Sequence, residues 1–454
     1  MLRLPKTFTF GIAESDLQTV GARLPQEKED AQKTMWELFA QKQKIEAPLY
    51  GTFKYNNYKT DIKLLADLNV KAYRTSISMS RTIDADGKVN KKAIAWYRDY
   101  FTRLKEKGLE IHLCLYHWEA PDKFLQKGVI DPTFQDYFLK HTDIVIEHLG
   151  DLVDYYIPMN EFWCMCFLGY YIGIHAPGYN RDIVSFWKAY FALVEIQTKV
   201  IQKIKTTSKT KVGVVNIHFP SYIQKEHTAD TAFINARHLA DNVTNFMYSD
   251  PFFMGEMDEI LVERFKKIFP KNHKEIITNA KMPTDIDYYG VNYYNSQYVK
   301  PADNDFGYDQ VMPNDALYNS LGWPVALPPH YPPGLTDILL AYTHRYKGFG
   351  LKRLIVSENG TPAYTDLTSS AVPADDFRIY IIQEHLKLIE DAIAKGAIVD
   401  GYFLWTLMDN YEWQEGYKAE GAFGLVGVDK KTEKRILKKS YFWYQQLLKN
   451  FYNK

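Results

Sequence analysis

The sequence predicts an α/β fold, first a closed (β/α)8 TIM barrel and second a doubly wound open sheet. Three observations predict it. Eight short apolar runs alternate with helical patterns. No Gly/Ser linker, charge block or low-complexity tract divides the 454 residues, so a single domain over residues 1–454 is expected. Several apolar runs also end in polar or ionisable residues. A barrel makes that demand, because its βα loops build the active site at the C-terminal ends of the strands.

The strands in order are FTFGIAES (8–15), VKAYRTSIS (70–78), EIHLCLYHW (110–118) and YYIPMNEF (155–162), then KVGVVNIH (211–218), IDYYGVNYY (286–294), LKRLIVSENG (351–360) and VDGYFLWTL (399–407). Between them, residues 91–108, 133–150, 184–205 and 376–395 carry apolar side chains at i, i+3, i+4 spacing. Glycine stops several of these helices, at Gly108, Gly150 and Gly396. A last amphipathic segment, 438–452, closes the count. The strand ends supply Arg74, His117, Asn160 with Glu161, Asn292 with Tyr294, and Glu358 with Asn359. Each alone reads as a cap or a loop residue. Together they read as the rim of a site.

Composition narrows the function. Formal net charge is zero, which gives no support to a nucleic-acid or anionic-membrane partner, since both need a basic face. The 9 Trp, 34 Tyr and 26 Phe exceed what is usual, and aromatic faces line sites that stack on sugar rings as well as cores. Cys114, Cys164 and Cys166 are too few for a disulfide framework and read as small buried residues. No run of about 18 apolar residues occurs, and the N-terminus has no long apolar segment, so a cytoplasmic location is expected. The triplets at Asn242 and Asn359 then read as accidental glycosylation motifs.

Two stretches carry the chemistry. In LIVSENG an apolar strand delivers Glu358 almost at once, and in YYIPMNEF another delivers Asn160 and Glu161. An unpaired carboxylate at a core edge costs several kcal/mol, so each glutamate needs a partner or a purpose. In a barrel the two strand ends face one pocket. Paired carboxyls there suit glycoside hydrolysis, one donating a proton and the other attacking the anomeric carbon or activating water. The plain alternative pairs each glutamate with an arginine. No phosphate-binding loop is present. A metal site built from His117 and the two glutamates is possible but unspecific, and Ser357 lacks the small-residue elbow of a serine hydrolase.

The chain resembles the family 1 glycoside hydrolases, the retaining β-glycosidases, over nearly its whole length. The resemblance is carried in order by FTFGIAESDLQTVG, YRTSISMSR, LYHWEAP, MNEF, YIGIHAPGY, DYYGVNYY, IVSENG and GYFLWTLMDNYEWQEGY with FGLVGVD. It implies that Glu358 is the nucleophile and Glu161 the general acid/base. It further implies that Arg74, with Asn292, supports Glu358, and that Tyr294, one of the substrate-binding residues, hydrogen-bonds to it. Gln18, His117, Asn160 and Glu412 would hold the sugar, Trp405 and Trp413 would wall it, and Trp323 would line the mouth. No cofactor and no metal is implied. The branch that cleaves 6-phosphosugars has a serine in place of Glu412, so an unphosphorylated β-glucoside, β-galactoside or β-fucoside is expected. Phe162, Met79 and Val20 depart from the usual Pro, Trp and Glu. A transglycosylase, or a non-catalytic sugar-binding relative, are the competing readings; the oligomeric state is not legible.

Overall fold

The computed structural model describes residues 2–22, 31–281, 286–368 and 371–453. Its centre is a closed barrel of eight parallel strands: β1 (Thr9–Ala13), β2 (Ala72–Ser76), β3 (Glu110–Cys114), β4 (Tyr155–Ile157), β5 (Lys211–Ile217), β6 (Tyr288–Asn292), β7 (Leu354–Asn359) and β8 (Val399–Trp405). Each strand pairs with the next in sequence. Thr9–Ala13 also lies in register with Gly401–Trp405, which closes the sheet and excludes the doubly wound alternative.

The long helices follow their apolar stripes. Lys91–Glu106, Phe134–Leu149, Ile183–Thr207, Asp376–Ala394 and Lys439–Tyr452 form within two residues of the predicted ends. Several strands stop short of prediction. β3 ends at Cys114 and β4 at Ile157, so His117, Asn160 and Glu161 stand on loops beyond the ladder. At the rim the chains splay, and Asn160 keeps a single bridge, to Val215.

Aromatic rings fill part of the lumen. His112 stacks on Tyr155 with centroids 4.3 Å apart, meets Phe403 edge-on at 5.0 Å and bonds the Tyr288 hydroxyl at 3.1 Å. Gly213 makes the room, since a Cβ there would sit 2.2 Å from the Tyr288 ring. This layer closes one end of the lumen, and the polar side chains gather at the other. No helix among the described residues is long and apolar enough to cross a membrane.

Candidate active site

A bulge delivers Glu358. Between β7 and β6, Val356 faces Val291 and Glu358 faces Asn292, so Ser357 is one residue too many. The extra residue turns both polar side chains inward: Ser357 Oγ donates to Asn292 Oδ1 at 2.7 Å, and Glu358 reaches Arg74. Arg74 Nη1 ion-pairs with Glu358 Oε1, and Tyr294 donates its hydroxyl proton to Oε2 at 2.8 Å. Both members of the ion pair are buried. The carboxylate after LIVS is therefore paired, and its cost is offset.

Glu161 is held differently. Its φ of +48° is left-handed, a strain worth about 1–3 kcal/mol for a residue with a side chain. The backbone is pinned there by Asn160 N–H to Tyr116 O at 3.0 Å and Glu161 N–H to Val215 O at 3.2 Å. Beyond it the chain enters a π-helix, Cys164–Ile172, a geometry that often marks functional sites. Asn292 Nδ2 donates to Oε1 at 2.6 Å, and the Cys164 thiol lies 3.1 Å from Oε2. Burial first, then the Glu358 charge, push the Glu161 carboxyl up to about 8, against the pull of Asn292, Cys164 and Arg74. At neutral pH Glu161 keeps its proton.

One network ties the two glutamates together. Arg74 Nη2 donates to Asn160 Oδ1 at 2.6 Å, and Asn292 Nδ2 reaches the same oxygen at 3.2 Å while bonding Glu161. The resemblance puts Asn292 in support of the nucleophile. The structure differs: its amide serves Glu161 and Asn160, because Ser357 fixes its oxygen on the far side. Asn160 Nδ2 also meets His117 Nε2 at 3.2 Å. Burial, then Arg74, hold His117 well below the usual imidazole range, so it is neutral. Its Nδ1 is buried with no hydrogen-bond partner among the described residues.

Around these groups the rings form walls. His117 lies nearly parallel to Trp405 and Trp413, at 22° and 14°, each with centroids 6.0 Å away. Glu412 is partly buried, and burial followed by the charges of Glu358, Glu415 and Glu161 raises its carboxyl to about 8. Gln18 is wholly buried, its Nε2 on Tyr411 O at 2.7 Å and its Oε1 receiving the Ser15 hydroxyl at 2.6 Å. Trp323 stands apart on the rim, 36% exposed, against Phe423 at 6.3 Å, and lines a hollow shared with Tyr294.

Three contributors escaped the sequence reading: Cys164, Ser357 and Trp118, whose indole N–H donates to Asn160 O at 2.8 Å while its ring lies 4.4 Å from Trp413. No local pattern announces the thiol, because Glu161 is left-handed and lies outside the helix that carries Cys164. Among the departures, Phe162 is buried against Tyr248 and Phe252, and its N–H, absent in a proline, donates to Asn216 Oδ1 at 2.9 Å. Met79 is buried with its N–H on Glu119, and Val20 is buried beside Gln18's short helix. No group of three or more His, Cys, Asp or Glu among the described residues is arranged to hold a metal ion.

A closed parallel barrel with two carboxyls in unlike settings at its C-terminal mouth defines a glycosidase-type site. Comparison with known proteins agrees. The glycosyl hydrolase family 1 model matches residues 2–452. Beta-glucosidase A of Thermotoga maritima is 30% identical over 99% of this chain and 98% of its own. A 6-phospho-beta-galactosidase of Clostridium acetobutylicum is 28% identical over 97% and 96%. The solved family 1 β-glucosidase of Thermotoga maritima superposes with a TM-score of 0.89 at 28% identity, covering 99% of each chain. The chain belongs to glycosyl hydrolase family 1 and is an O-glycosyl hydrolase.

Proposed function

We propose that the chain, working as one domain, hydrolyses unphosphorylated β-glucosides with retention, Glu358 acting as nucleophile and Glu161 as acid/base. The observation that carries this reading is the asymmetry of the two carboxyls. Glu358 is ion-paired to Arg74 and accepts a proton-donating bond from Tyr294, while Glu161 keeps its proton up to about pH 8. In the first step Glu358 bonds C1 of the sugar, the glycosidic C1–O bond breaks, and Glu161 gives its proton to the departing oxygen. Esterification removes the Glu358 charge, which weakens Glu161's hold on a proton. Glu161 then takes a proton from water as its oxygen bonds C1 and the ester bond breaks.

Binding falls to the groups around them. The buried, unpartnered Nδ1 of neutral His117 is a donor for a sugar hydroxyl, and Asn160 is placed beside the carboxyl pair to meet the 2-hydroxyl. Trp405 and Trp413 offer apolar faces. The anion beside Glu412 is Glu358, so a phosphate would add a second negative charge to the buried pocket, while Arg74 is already committed to Glu358 and Asn160. The relatives named as β-glucosidases support the gluco configuration. A cytoplasmic site of action fits three buried, unpaired cysteines.

Proton NMR of the first-formed sugar from an aryl β-glucoside tests the reading. The β-anomer should appear first, and the corresponding 6-phosphoglucoside should be cleaved at least about 10²-fold more slowly, as expected for an uncompensated charge in the pocket. Initial release of the α-anomer would refute retention.

A further inference from the structure

The Cys164 thiol takes no part in the steps above, yet it is buried 3.1 Å from the oxygen of Glu161 that Asn292 does not occupy. The network determines which oxygen carries the acid proton. Arg74 can only donate, so the atom of Asn160 facing it is Oδ1. Asn292 reaches that same Oδ1 with Nδ2 and receives the Ser357 hydroxyl on its own oxygen, so Nδ2 also faces Glu161. Glu161 Oε1 therefore always accepts, and the exchangeable proton sits on Oε2, beside the sulfur. Burial, then the charge of Glu161, push the Cys164 thiol well up, so it stays protonated and able to donate.

We propose that Cys164 is a positioning residue for Glu161, its S–H donating to Oε2 whenever that carboxylate is ionised and turning away, or accepting, when Oε2 carries the proton. Asn292 and Cys164 then clamp the two oxygens from opposite sides and fix the plane of the carboxyl. The thiol bond exists only with the charged form. It favours the base that the second half of the reaction needs, and it offsets part of the burial that makes Glu161 an acid in the first. This rests on the acid/base role proposed for Glu161. The other charged or titratable groups around the pair are Arg74 on β2, Cys114 at the end of β3, Tyr294 after β6, Glu358 on β7 and Glu412 after β8. None of them changes in the variants below, so a shift between variants belongs to position 164.

The test is the alkaline limb of kcat/KM against pH for a phenyl β-glucoside. Cys164→Ala and Cys164→Val both lack a donor, the second keeping bulk should the first not fold. Each should move the limb up by about half to one pH unit, the scale of one ordinary lost hydrogen bond, since a thiol is a weak donor. Cys164→Ser restores a donor, and its limb should return to the native position or slightly below it. A purely packing role predicts altered stability or kcat with the limb in place in all three. An unmoved limb, or one moved down, in the donor-free variants overturns the proposal. Glu161→Ala is measured alongside with 2,4-dinitrophenyl β-glucoside. Loss of the limb and acceleration by azide uphold the acid/base reading, whereas a retained limb would sink that reading and not the thiol's part alone.

Discussion

Arg74 grips Glu358 with one guanidinium nitrogen and, through the other, an asparagine that also contacts the partner of Glu161. The pair is buried, so neither charge has water to fall back on. Arg74→Met should lower kcat by about 10²–10³-fold, the usual toll of losing a preorganised charge at the reacting centre. It should also cost about 3–5 kcal/mol of stability by leaving Glu358 unpaired. Arg74→Lys keeps the charge but not the fork, and should fall between. Steady-state kinetics with denaturant melts measures both. A methionine variant within about 10-fold of native kcat would contradict this role.

Tyr294 reaches the other oxygen of Glu358 at 2.8 Å. Tyr294→Phe removes one hydrogen bond to a charged group, about 1.5–3 kcal/mol. The expected loss is therefore about 10- to 100-fold in kcat/KM, with Tm little changed. A rise in KM alone, with kcat intact, would place Tyr294 in sugar binding instead.

The proton on Glu161 sets a pH dependence of both rate and stability. Activity needs the acid form, so kcat/KM should fall as pH rises through about 8. Glu412, raised to about the same value, titrates alongside it. For stability, the folded state holds a proton that the unfolded chain releases from its ordinary value of 4.5 upward. The contribution is fully present below 4.5 and is lost as pH rises to about 8. Glu161→Gln keeps the shape without the charge. Its gain in Tm over the native chain should be small at pH 5 and several degrees at pH 8. Equal gains at the two pH values would show that Glu161 is not held protonated.

Phe162 occupies a position where the resembled family has proline. Proline is tolerated at the first turn of a helix, so Phe162→Pro should leave kcat/KM of the folded enzyme within about 10-fold. The buried ring and the N–H to Asn216 are lost, however, at about 3–5 kcal/mol by analogy with Phe→Ala. Thermal melts paired with kinetics separate the two effects. A large fall in kcat without a fall in Tm would mean that the phenylalanine shapes the reaction itself.

Much of the fold was legible because its signals are local. The i, i+3, i+4 stripes and the glycines after Lys91–Glu106, Phe134–Leu149 and Asp376–Ala394 set those helices, and eight apolar runs gave eight strands. Short elements without a pattern were not legible. The side sheet of Gln297–Pro301 and Tyr308–Val311 and the π-helix Cys164–Ile172 depend on tertiary packing rather than propensity. At the site, residue types marked Glu161 and Glu358, but not how each is held. The bulge at Ser357 is a property of how β7 pairs with its neighbours, not of the local sequence, and through it Ser357 holds the Asn292 oxygen so that its amide nitrogen faces Glu161. The thiol on Oε2 follows from the left-handed turn at Glu161, which nothing in MNEF announces.

The attack of Glu358 on the sugar can be observed directly in one measurement. The enzyme is incubated with 2,4-dinitrophenyl 2-deoxy-2-fluoro-β-glucoside, then examined by intact and peptide mass spectrometry. Fluorine slows both steps through the oxocarbenium-like transition states, while the good leaving group lets the first outrun the second. One fluoroglucosyl adduct per chain is expected, on the peptide holding Glu358 and on that residue within it. Rapid loss of activity with the label on any other residue would contradict it.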